Sequence, residues 1–117
     1  MPSTTSFNRG DVVLVPFPFT DLSSAKQRPA LVVSADALNA VRADVLVTAM
    51  TSQVPATLAV DEFLIPPSDL TACGLPKPSI LKLSKMVTLN QHVVIKRIGA
   101  LPASTLAQVM ARLRQLF

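Results

Sequence analysis

Gln27-Arg28-Pro29-Ala30-Leu31-Val32-Val33-Ser34 sets a cation and a proline at the mouth of an unbroken apolar run. A run without polar alternation suits a strand buried on both faces, since alternation arises only where one face meets water. Proline belongs at such a strand's first position, where no ladder donor is needed. Arg28 is then predicted at the rim of a rigid sheet, on backbone that proline stiffens. Its planar fork of donors matches the geometry of phosphate or carboxylate. An arginine at a strand end also serves as a plain solvated charge, and this stretch alone leaves both readings open.

Outward from it, β-branched runs and Pro/Gly punctuation predict a mostly β (α+β) chain. Asp11–Val15 reads as a first strand stopped by Pro16 and Pro18, and polar Thr20–Gln27 as the loop into the Pro29–Ser34 strand. Val45–Met50 is a third strand, preceded by Ala35–Ala43 as a helical turn or irregular connection. Leu58–Ile65 is a fourth, ended by Pro66-Pro67. Ser79 to Leu89 makes a fifth, with a break near Lys85, and after a bend at Asn90–His92 the segment Val94–Ala100 makes a sixth. Pro102 suits a helix's first turn. Leu106, Val109, Met110, Leu113, Leu116 and Phe117 then form one apolar stripe at helical spacing, predicted to cover a face of the sheet.

With 117 residues, half of them hydrophobic, the chain is expected to be a single domain, with residues 1–8 as a flexible N-terminus. There is no Trp or Tyr, so the core must be aliphatic and base stacking on such rings is not on offer. The polar start Met1–Ser6 is not an ordinary signal peptide, and no apolar stretch approaches the roughly 18 residues of a membrane span. Cys73 is the single cysteine and His92 the single histidine, which argues against a disulfide or a zinc site from this chain alone. A cytoplasmic protein that needs no metal or cofactor and no membrane is expected.

Charge is unevenly spread along the chain. All seven acidic residues lie at or before Asp69, whereas Lys77, Lys82, Lys85, Lys96, Arg97, Arg112 and Arg114 follow with no acid among them. Such asymmetry favours a polyanionic or acidic partner, although cations also keep a sheet edge or helix tail soluble. The three glycines are scattered, so no phosphate-cradling loop is present. Beyond Arg28, a polar cluster, Thr51-Ser52-Gln53, directly follows the Val45–Met50 strand, and its hydroxyls and amide can donate to phosphate oxygens.

Arg28 before one strand and Thr51-Ser52-Gln53 after the next resemble the MazF/PemK toxin endoribonucleases, and most closely the PemK-like branch. The resemblance extends through Arg9-Gly10-Asp11-Val12, Pro16-Phe17-Pro18-Phe19-Thr20-Asp21, Lys77-Pro78-Ser79, Lys96–Leu101 and the closing helix. It implies a compact SH3-like β-barrel of about six strands with a C-terminal helix, assembled as a homodimer, cutting single-stranded RNA without a metal. It implies Arg28 and Thr51 as catalytic residues, Gln27, Ser52, Gln53, Lys77, Ser79 and Lys85 as RNA-binding residues, and a cognate acidic antitoxin. Because the ribose 2′-OH can attack the adjacent phosphorus, the protein need only position and stabilise charge. Relatives with a carboxylate in the loop before the arginine differ from this chain, which has Ser23-Ser24-Ala25-Lys26 there. Two other functions are open to such a chain: a topoisomerase poison like the related CcdB branch, against which the Arg28/Thr51 pair argues, and a non-catalytic barrel that binds protein or nucleic acid.

Overall fold

A computed structural model describes residues 6–17 and 26–117, so part of the expected Thr20–Gln27 loop lies outside the described residues. The strands are β1 (Asp11–Phe17), β2 (Lys26–Val32), β3 (Asp44–Thr51), β4 (Glu62–Leu64), β5 (Ile80–Asn90) and β6 (Lys96–Ala100). All pairings are antiparallel, and the six strands form one sheet in the order β4-β5-β3-β2-β1-β6. Among the described residues β4 and β6 are both edges, so the expected barrel is an unclosed one.

β2 explains why the sheet needs an aliphatic core on both sides. Ala30 and Val32 join Val13, Val15, Val45 and Val47 in one cluster, while Leu31 and Val33 join Val12, Leu81 and Leu83 in another. The second cluster is covered by α3 (Ala103–Leu116), through Val109 and Leu113. Phe117, expected to finish that helix's apolar stripe, is instead 76% exposed. Pro102 sits one residue before the helix, where its carbonyl accepts the Leu106 N–H at 2.9 Å.

Two short α-helices are added: α1 (Asp36–Val41), within the segment Ala35–Ala43 expected as a helical turn or irregular connection, and α2 (Leu70–Cys73), which sequence patterning does not reveal. α2 lies against β6 at the barrel's open seam. The approach is between backbones. A Cβ on Gly74, whose φ is +71°, would stand 2.1 Å from the Ile98 carbonyl oxygen, and one on Gly99 would stand 2.4 Å from the Ala72 oxygen. Both glycines are needed for contact. At the N-terminal end, the Phe7 N–H donates to Gln91 Oε1 at 3.1 Å and the Asn8 N–H to Asp11 Oδ2 at 2.8 Å.

Several strand ends move for identifiable reasons. β4 is a three-residue strand rather than Leu58–Ile65, since the Glu62 N–H turns back to the Ala59 carbonyl and closes a turn in its place. The expected break near Lys85 is a bulge inside a continuous β5: Thr48 faces Met86 while the next residue, Ala49, faces Lys82. Proline does not stop β1 at Pro16, which pairs with Gln27.

Candidate active site

β2 begins at Lys26, not at Pro29, and residues 26–29 pair only with β1. Pairing between β2 and β3 starts at Ala30↔Ala49. The Val33 N–H reaches Leu46 of β3, so odd-numbered residues of β2 aim their donors at β3. The donor that proline lacks at position 29 is therefore the one that would have continued this ladder. Pro29 thus marks where β2 and β3 part, rather than where β2 begins. Continuing the Ala30↔Ala49 register by two residues sets Arg28 across from Thr51, on the same sheet face.

A groove of about 440 Å³ opens at this parting, lined by Gln27, Arg28, Thr51, Ser52, Lys77 and Ser79 among others. A second depression of about 320 Å³ adjoins it, sharing Arg28, Met50 and Thr51 and adding Gln53, Lys82 and Lys85. Every residue singled out in the sequence as catalytic or RNA-binding lines one or both. Arg28 and Thr51 are half-buried, whereas Gln27, Ser52, Gln53, Lys77 and Lys85 are exposed. Ser79 is buried and its hydroxyl donates to the Lys77 carbonyl at 3.0 Å, so its proton holds the chain's own loop. Thr51 Oγ1 accepts the Gln53 N–H at 3.1 Å, a turn that leaves the hydroxyl proton available for a ligand.

Lys26 and Lys82 also line the depressions, and neither is among the RNA-binding residues expected from the sequence. Lys82 shares the face of Ala49 and Glu62 through its cross-strand partners, and its ammonium lies 3.2 Å from Glu62 Oε2. The Ala59 N–H, first, and Lys82, second, hold the Glu62 carboxyl below the usual carboxylate range. Asp61 is lowered as well, chiefly by the hydroxyl of Ser84. Cation–carboxylate pairs also correct the charge map read from the sequence. Of the cations after Asp69, Lys82 is paired with Glu62 and Arg97 with Asp11 at 2.9 Å. No group of three or more His, Cys, Asp and Glu side chains among the described residues could hold a metal ion.

Residues 8–117 match the family of PemK-like, MazF-like toxins of type II toxin–antitoxin systems. The chain belongs to this family. Curated relatives of the toxin include endoribonuclease MazF6 of Mycobacterium tuberculosis and endoribonuclease MazF2 of Mycobacterium bovis. Each is 33% identical over 91 residues, which is 78% of this chain and 78% of the relative. In fold, the toxin is similar to a mycobacterial endoribonuclease solved with its cognate antitoxin, with a TM-score of 0.73 and 22% identity over 94% of this chain and 93% of that one. It is likewise similar to the MazE–MazF structure from Deinococcus radiodurans, with a TM-score of 0.72 and 23% identity over 97% and 96%. These likenesses carry the six-stranded sheet and terminal helix of the toxin fold. No helix among the described residues is long and apolar enough to cross a membrane.

Proposed function

We propose that this toxin cuts single-stranded RNA in the groove between the parted ends of β2 and β3, by attack of a ribose 2′-OH on the adjacent phosphorus. Endoribonuclease activity follows from identity to curated MazF enzymes over most of the chain; the topoisomerase-poison and binding-only readings find no comparable support. The observation that carries the site is the convergence of Arg28 and Thr51 on one sheet face, at the meeting of both depressions.

The chemistry asks little of the protein beyond placement. As the 2′-oxygen bonds to phosphorus it gives its proton to water, the P–O5′ bond breaks, the leaving 5′-oxygen takes a proton from water, and a 2′,3′-cyclic phosphate remains. The Arg28 guanidinium donates to the non-bridging oxygens as their charge grows. Thr51 adds a neutral donor from the opposite strand. A metal is not required when a guanidinium and a hydroxyl already meet the developing charge. Incubating the purified toxin with a long single-stranded RNA and a chelator tests this reading: fragments ending in cyclic phosphate support it, and intact RNA defeats it.

The antitoxin and a second copy of the chain are the expected partners. An acidic segment suits the Lys26, Arg28, Lys77 and Lys85 side of the toxin and would compete with RNA there. At a different place, Val33, Leu46, Met86, Met110, Leu113 and Phe117 line an apolar trough of about 420 Å³ beside α3. A two-fold contact through α3 would cover it and bury the exposed Phe117 ring.

A further inference from the structure

Two depressions meet at Arg28, Met50 and Thr51, and each carries a lysine pair beyond that meeting point: Lys26 and Lys77 in one, Lys82 and Lys85 in the other. We propose that the groove is a three-phosphate clamp, in which the scissile phosphate sits at Arg28 and Thr51 and each flanking phosphate is held by one of these lysine pairs. The inference rests on the endoribonuclease reading above and deepens it, by assigning the substrate's backbone contacts on both sides of the cut.

The Lys82–Lys85 side is built rather than incidental. Leu83, Ser84 and Lys85 have no partner on β3, because the register jumps from Thr48↔Met86 to Ala49↔Lys82. Such a bulge re-aims side chains at the edge of a site. Its start is fixed from both sides: Thr48 of β3, fully buried, donates its hydroxyl proton to the Lys82 carbonyl at 2.8 Å, and the Leu83 N–H donates to the carbonyl of Asp61, just before β4, at 2.8 Å. The Lys82 ammonium is then held 3.2 Å from Glu62 Oε2, while Glu62 Oε1 is anchored by the Ala59 N–H at 2.8 Å. An ammonium carries three donors, and Glu62 takes one direction, leaving others for a ligand. A lysine already ordered loses less freedom when substrate arrives.

Phosphate is the group these lysines fit best. Lysine recognises phosphate as a point charge, and Met50, which lines both depressions and is 3% exposed, offers no polar handle there. With no Trp or Tyr in the chain the strongest stacking platforms are missing, so backbone contacts must carry more of the affinity. Because the two depressions share Arg28 and Thr51, a strand running from one into the other meets a lysine pair in each.

The test uses the full-length toxin and an RNA oligonucleotide with one phosphate at a time replaced by a neutral methylphosphonate. For the parent, replacement of either flanking phosphate is expected to lower kcat/KM about tenfold, about 1.4 kcal/mol, mainly through KM. In Lys82→Met or Lys85→Ala the penalty should vanish on one flank and persist on the other, and Lys26→Ala should show the reverse pattern. Lys85 is exposed and outside the Glu62 pair, so its variant reports on the clamp even if Lys82→Met folds poorly. A purely structural lysine would lower activity while leaving both penalties in place, and that result overturns the proposal. If the parent cuts unmodified RNA and flanking methylphosphonates cost nothing, the clamp alone fails. Absence of any cleavage by the parent removes the endoribonuclease reading and the clamp together.

Discussion

Replacing Arg28 with alanine is the sharpest perturbation of the proposed site. The residue is half-buried at the end of β2, where backbone pairing with Val15 accepts any side chain. The change therefore leaves stability within about 0.5 kcal/mol of the parent, as partly exposed substitutions usually do. Loss of a preorganised donor to a developing oxyanion costs about 10²–10³ in rate, or about 2.7–4 kcal/mol. Arg28→Lys keeps the charge without the planar fork and should fall between parent and alanine. Thr51→Ala removes one neutral donor, worth about 1.4 kcal/mol or tenfold in rate. It also frees the Gln53 N–H from its turn, so Thr51→Ser, which restores both bonds, is the control. Initial rates on a fluorogenic RNA in chelator, with thermal melts of the same samples, give both quantities. If Arg28→Ala cleaves at the parental rate with an unchanged melt, the site is misplaced. If Thr51→Ala is the more damaging change, the two roles are inverted.

Burial pushes the Cys73 thiol up from 9.0 to about 11, with nearby Asp69 adding to the shift. The folded state keeps the proton that the unfolded chain loses, so stability is full below pH 9.0 and declines as pH rises to about 11. The decline should be about 2–3 kcal/mol, read as the difference in urea midpoints between parent and Cys73→Ala; parallel pH profiles would refute it. Gly99→Ala puts a methyl group onto rigid backbone of α2 and should destabilise by about 1–3 kcal/mol or more; a melt unchanged by this substitution would show that α2 does not need its close seat on β6. Phe117→Asp, at a side chain 76% exposed, should leave the monomer folded and weaken self-association at least about tenfold by sedimentation equilibrium. Unchanged association would place the two-fold contact elsewhere.

How far the sequence could be read depended on whether a signal was local. The Ala30–Val33 run announced a strand buried on both faces because its lack of alternation is written in consecutive residues, and the α3 stripe was legible for the same reason. α2 was not, since a four-residue helix after a proline pair has no periodicity to show. The bulge in β5 left only a hint near Lys85, because a bulge is a relation between two strands. Arg28 and Thr51 stood out from their own sequence surroundings and took their proposed roles from the family resemblance, whereas the proposed role of Lys82 depends on cross-strand register with Ala49 and on the anchored Glu62, which no local signal shows. The pairings of Lys82 and Arg97 escaped for the opposite reason to α3. Their acids, Glu62 and Asp11, lie far enough away in the chain that a linear charge map counts them as separate.

Pro29 links these local and non-local parts of the site. Had position 29 carried an N–H, the β2–β3 ladder could have continued past Ala30↔Ala49, and positions 28 and 51 would have been ordinary cross-strand neighbours. Strands joined there would leave less room between the guanidinium and the hydroxyl for a phosphate. With the donor removed, the strands part beyond Ala30↔Ala49, and Arg28 and Thr51 both line the opening. The rest of β2 stays paired on both sides, so the groove's walls rest on the fully buried Ala30, Leu31 and Val32. A rigid sheet that comes apart at one specified residue is a direct way to hold two donors at a fixed spacing without a glycine-rich loop. It also explains why the cation and the proline stand next to each other in the sequence: Arg28 faces the opening that Pro29 creates.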